Sequence, residues 1–173
     1  MAAVAAHATE AAIALLHGLG APVTTTGVRL LVAWITCEKG AHGDAWQWNN
    51  PLNTTERGFG STQVVNAAGV RAYPTQAAGI AATVATLRNG HYPHLLAGLR
   101  AGDAATFFAG FPGEMTTWGT DPACVQQVYA EVGGTVPAPP ASGPGPAPEP
   151  VAPLAVLAAA GAVLYGVWVL WGG

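Results

Sequence analysis

One carboxylate stands out by its place in the chain. Glu38 closes the run AWITCE at residues 33–38, and ten residues later comes the dense polar stretch WNNPLNTT at residues 48–55. With helical period, Val28, Leu31, Ile35 and Trp34 form an apolar stripe, and Glu38 lies one turn beyond Trp34. A carboxyl held against apolar and aromatic surface loses solvation and keeps its proton to higher pH. That is the state in which a glutamate can protonate a departing glycosidic oxygen. Lys39 beside it fits the other reading, a solvated glutamate at a helix end. Position alone leaves both open.

The polar stretch supplies groups that match an N-acetyl sugar. The Asn50 and Asn53 amides both donate and accept, as the acetamido group and hydroxyls of such sugars require. Trp46, Trp48 and Tyr73 offer flat faces for sugar rings, and Thr54 or Thr55 offers a hydroxyl to position a water. The same asparagines also suit side-chain-to-backbone turns that only fold the loop. Glycosidases that use two carboxylates set them about 5–5.5 Å or 6.5–9.5 Å apart. Asp44 and Glu56 are the loop candidates for a second acid.

The elements that must position these groups read as helices. The N-terminal MAAVAAHATEAAIALL lacks a basic start and carries Glu10 in its apolar stretch, so it reads as an amphipathic helix and not as a secretory signal. Thr24, Thr25 and Thr26 can cap a helix from about Gly27 to Lys39, stopped by Gly40. Pro74–Thr75 precedes QAAGIAATVATLR, ended by Asn89–Gly90. Pro93 opens HLLAGLR, closed by Gly102. Asp103 can cap AATFFAG, and Asp121–Pro122 opens ACVQQVYAEV, ended by Gly133–Gly134. Strand-like alternation is confined to Val64–Val65 and residues 69–73. A long irregular connection over residues 40–73 remains, and loops of that length in compact domains are commonly functional.

Composition bounds the partners. The 173 residues are 51% hydrophobic and only 9% charged, against roughly 25% charged in ordinary globular chains. A net charge of -3 with six scattered Lys and Arg makes no basic stripe, which argues against nucleic acid. The five histidines are scattered and no CxxC or HExxH occurs, so no metal or other cofactor is expected. Cys37 and Cys124 fit either two separate buried thiols or one bridge closing a long loop.

In order and spacing, AWITCEKG, WNNPLNTT, GVRAYPTQAAGIAATVATLRNGHYPHLLAGLRAGD and WGTDPACVQQVY resemble the lysozyme-like superfamily of peptidoglycan-cleaving enzymes, over about residues 28–131. The likeness points to small phage muralytic domains and, more distantly, to glucosaminidases and lytic transglycosylases. It implies a mainly α, lysozyme-like helical domain with a long active-site loop. Glu38 would be catalytic, and Asn50, Asn53, Thr54, Tyr73 and Trp48 would bind the glycan. Thr120, Asp121 and Pro122 match the turn into the last helix. It also implies a single-acid route in which the muramic acid 6-hydroxyl attacks, giving a 1,6-anhydro product.

Two segments follow the expected catalytic domain at residues 1–134. Residues 135–150 hold seven prolines in sixteen positions and read as a semi-rigid linker of up to about 50 Å. Residues 151–171 carry no charge and would span roughly 30 Å as a helix, enough to cross a lipid membrane. Tyr165, Trp168 and Trp171 suit its interface. The expectation is a membrane-anchored enzyme of a virion membrane or host envelope that cleaves peptidoglycan glycan strands, with virion proteins as further partners. The rivals are a non-catalytic structural or glycan-binding virion membrane protein that keeps the fold, and a chitin-directed hydrolase.

Overall fold

Helix α2 (Thr25–Glu38) is the axis around which the other helices pack. The computed structural model describes residues 2–38 and 48–134, all within one unit. The Thr24 hydroxyl accepts from Gly27 N at 3.0 Å and caps α2. Beyond the cap, Val28 and residues 30–35 are all buried. The expected one-sided stripe is therefore a helix buried on every face, as an apolar helix becomes when neighbours surround it.

Helix α1 (Ala2–Leu19) packs on α2 through Ala8, Ala11, Ala12, Leu15, Leu16 and Leu19, whose spacing of three and four lines one face. Its alanines let the two backbones approach. Helix α3 (Gln76–Leu87) packs on α1 and is capped by Thr75, whose side chain accepts from Ala78 N. Helices α4 (Pro93–Ala101) and α5 (Ala104–Ala109) form a close pair. Gly102 turns between them with φ +63°, and Asp103 then caps α5 by accepting from Ala105 N and Thr106 N. Gly98 is where they touch: a Cβ there would lie 2.5 Å from Phe107 N.

The chain then makes a wide π-type turn (Phe111–Met115), a short helix α6 (Thr116–Trp118), and helix α7 (Pro122–Glu131), capped by Asp121. A 3-10 turn at Val132–Gly134 ends it, at the expected glycines. The π-type turn was not anticipated from the sequence. It is held by Glu114, whose carboxylate accepts from His94 N and Leu95 N at 2.9 Å each, filling the exposed donors at the start of α4. The His94 ring nitrogen Nδ1 lies 2.5 Å from the same carboxylate.

Two short strands, β1 (Gln63–Val64) and β2 (Arg71–Ala72), pair antiparallel with Gln63 opposite Ala72. Residues 48–56 run beside β2, with Tyr73 N donating to Trp48 O at 2.9 Å and Arg71 N to Thr54 O at 3.2 Å. The described part of the long connection is thus an ordered ribbon. It sits on α3 at Gly79, where a Cβ would collide with Asn49 O.

Cys37 and Cys124 form a disulfide with Cα atoms 6.0 Å apart, joining the end of α2 to α7. No helix among the described residues is long and apolar enough to cross a membrane. The segments 135–150 and 151–171, with Lys39, Asp44 and Trp46, lie outside the described residues.

Candidate active site

Glu38 lies on a cleft of about 400 Å³ whose walls come from the end of α2, the polar loop, α3 and the approach to α7. Asn53, Thr54 and Thr55 form the loop side, and Tyr92 and Trp118 form an aromatic side. Their rings meet edge to face with centroids 5.1 Å apart. Trp118 also meets Trp34 at 4.9 Å, and its indole N–H donates to Leu52 O at 2.9 Å, which ties the aromatic side to the loop.

The Glu38 carboxyl is engaged on both oxygens. Oε1 accepts from the Thr120 hydroxyl and from Trp34 Nε1, the latter at 3.3 Å. Oε2 accepts from Asn53 Nδ2 at 3.1 Å, and the same amide donates to the Glu38 main-chain oxygen at 2.8 Å. Burial pushes the Glu38 carboxyl above its ordinary value, against the pull of the hydrogen bonds from Thr120, Asn53 and Trp34. The residue keeps a partly exposed edge on the cleft while its carboxyl sits among packed side chains.

Asn53 is held in the left-handed region, with φ +52°, a conformation asparagine tolerates better than most residues. That backbone turn aims its amide at Glu38. Both amide protons go to Glu38, and Oδ1 is buried with no hydrogen-bond partner among the described residues. Thr54 reaches the cleft, but its hydroxyl lies 2.5 Å from Thr86 Oγ1. Thr86 in turn donates to Ala82 O at 3.0 Å, so the Thr54 proton goes to Thr86. Thr55 is the exposed hydroxyl on this side.

The other residues expected to touch substrate do not line this cleft. Asn50 is fully buried: Nδ2 donates to Thr54 O and Arg71 O at 2.8 Å each, and Oδ1 accepts from Thr54 N at 2.9 Å. All its bonding capacity folds the ribbon. Tyr73 is buried with its hydroxyl on Glu56 O at 2.7 Å. Burial, with the Glu56 charge, pushes that hydroxyl up to about 12, so it stays a neutral donor. Trp48 is half-buried and contributes its carbonyl to Tyr73 N. All three take part in holding the loop, and none lines this cleft.

Glu56 does not line this cleft, and its carboxylate accepts from Arg57 N at 3.1 Å. Glu38 is the one carboxylate among the described lining residues. No group of three or more His, Cys, Asp or Glu side chains is placed to hold a metal among the described residues. A larger groove of about 610 Å³ lies between α1 and α3, lined by Ala14, Ile80 and Val84 with Glu10 at its edge. It lacks the converging polar groups that mark a chemical site.

Tyr92, Trp118 and Thr86 were missed as site residues, and Thr120 was read only as part of a turn. A tryptophan two residues before Thr120 in WGTDP was the available signal. No family model, curated protein or solved structure matches the chain, so the functional reading rests on the site itself.

Proposed function

We propose that the chain cleaves glycosidic bonds of peptidoglycan glycan strands, with Glu38 as general acid. The observation that carries this reading is a carboxyl on a cleft, its titration pushed up by burial, and held on both oxygens by Thr120, Trp34 and Asn53. Glu38 would deliver its proton to the bridging oxygen as the C–O bond breaks. The aromatic side formed by Tyr92 and Trp118 suits a sugar ring.

A single described carboxylate favours attack by the substrate's own 6-hydroxyl, with Glu38 then taking a proton back as base. Hydrolysis would instead need a water, for which the exposed Thr55 hydroxyl on the loop side offers a partner. In keeping with this function, we assign the apolar segment 151–171 as a membrane anchor and 135–150 as the spacer that lets the catalytic domain reach a cell wall. A virion-borne enzyme that opens the wall locally fits this arrangement.

The test is mass spectrometry of the soluble products released from purified peptidoglycan. Muropeptides with 1,6-anhydro ends would support the internal route, and reducing ends would support hydrolysis. Release of no glycan fragment by folded protein would reject the enzymatic reading.

A further inference from the structure

Thr120 has one hydroxyl proton and meets two polar groups. Trp34 Nε1 donates to Thr120 Oγ1 at 2.9 Å, in a buried contact, and an indole nitrogen can only donate. The threonine oxygen therefore accepts from the indole, and its own proton goes to Glu38 Oε1. Trp34 Nε1 reaches Oε1 as well, at 3.3 Å. Oε1 thus takes the Thr120 proton and the longer arm of the indole's one shared proton, whereas Oε2 takes a single donor, from Asn53. With the Thr120 hydroxyl and the shared indole N–H both directed at Oε1, the acidic proton is favoured on Oε2.

We propose that Thr120 is a positioning residue for proton transfer: with Trp34 it covers Oε1 of Glu38 and makes Oε2 the oxygen that delivers the proton. The inference rests on the reading of Glu38 as general acid and adds which oxygen acts and what selects it. Thr120 is built into place from both sides. Gly119 turns the chain at φ +97°, and Asp121 starts α7 immediately after. The disulfide then joins the residue before Glu38 to Cys124 on α7, so the two partners are linked covalently.

Among the described residues, the groups that hydrogen-bond the Glu38 carboxyl are neutral: Trp34 on α2, Asn53 on the loop, and Thr120 before α7. Across the cleft, Tyr92 is the titratable neighbour, and burial pushes its hydroxyl above its ordinary value, so it stays neutral where Glu38 titrates. A change in the Glu38 titration on altering Thr120 therefore reports the Thr120 bond.

Thr120→Val keeps the volume and removes the hydroxyl. In the full chain acting on soluble glycan-strand fragments, kcat is expected to fall about tenfold with KM unchanged. The alkaline limb of the kcat–pH profile is expected to move up by about 0.5–1 unit, because a donor that favours the ionised carboxyl is gone. Thr120→Ser retains the hydroxyl and should restore both. A Glu38→Gln control separates the claims. If Glu38→Gln is fully active, the general-acid reading fails. If Glu38→Gln is inactive while Thr120→Val keeps the wild-type kcat and limb, the Thr120 proposal alone is overturned. Should Thr120→Val not fold, Trp34→Phe removes the other donor of the relay, and an unshifted limb in that variant would equally overturn the proposal.

Discussion

Asn53 reaches Glu38 twice, its Nδ2 lying 2.8 Å from the main-chain oxygen and 3.1 Å from Oε2. One amide thus fixes both the end of α2 and the carboxyl it carries. Asn53→Ala is expected to lower kcat/KM by about 10- to 100-fold, corresponding to roughly 1–3 kcal/mol of lost interaction. Asn53→Asp should be worse, since it replaces a donor with a second acceptor facing Glu38. Kinetics on folded variants checks this, and two fully active variants would make Asn53 a purely structural residue.

The raised Glu38 titration has a stability consequence with a definite sign. Below its ordinary value of 4.5 the side chain is protonated in both folded and unfolded chains, so burial carries no ionisation penalty. As pH rises through the higher folded value, the unfolded chain ionises first and the wild type loses stability. Glu38→Gln removes that loss. The melting temperature of Glu38→Gln relative to wild type should therefore increase from about pH 4 to about pH 7. A difference that stays flat or reverses would show that the carboxyl is not desolvated.

The Cys37–Cys124 bridge closes a separation of 87 residues. In the chain-entropy account such a loop constrains the unfolded state by about 4.6 kcal/mol. The double Cys37→Ser, Cys124→Ser chain is expected to melt well below the oxidised wild type. Its activity at low temperature should also fall, because the bridge ends beside Glu38. Reduction that changes neither melting nor turnover would show the two segments are held without it.

Much of the helical frame was legible because its signals are local. Thr24, Thr75, Asp103 and Asp121 cap the helices that they were expected to cap, and Gly102 stops α4 in the left-handed region. The π-type turn at Phe111–Met115 was not legible, since it depends on Glu114 reaching His94 N and Leu95 N across twenty and nineteen residues. The site divides in the same way. Glu38 stood out as a candidate from its place at the end of an apolar run, but its burial against Trp34, Asn53 and Thr120 is tertiary and could not be read there. Asn50 and Asn53 look alike in NNPLN, and only the fold turns one into the ribbon and the other onto Glu38. The pairing of Cys37 with Cys124 was likewise undecidable without the packing of α2 on α7.

Glu114 supplies a test of the fold that is separate from the chemistry. Burial raises its carboxyl, but the bonds from Leu95 N, His94 N and the His94 side chain outweigh that and hold it below the ordinary range. Stability from this group is therefore present above its ordinary value and lost as pH falls through the folded one. Glu114→Ala leaves two helix-start donors without a partner and should cost about 1–2 kcal/mol, read by denaturant unfolding at neutral pH. An unchanged unfolding midpoint would mean that water satisfies those donors equally well.

The central claim is that Glu38 donates the proton. Glu38→Gln keeps the size of the side chain and removes the acid. Loss of turbidity of purified peptidoglycan, followed for both proteins at equal folded concentration, measures the claim directly. The account predicts that Glu38→Gln clears the wall at least about 100-fold more slowly than wild type, with a melting temperature at neutral pH no lower. Clearing by Glu38→Gln at the wild-type rate would contradict it.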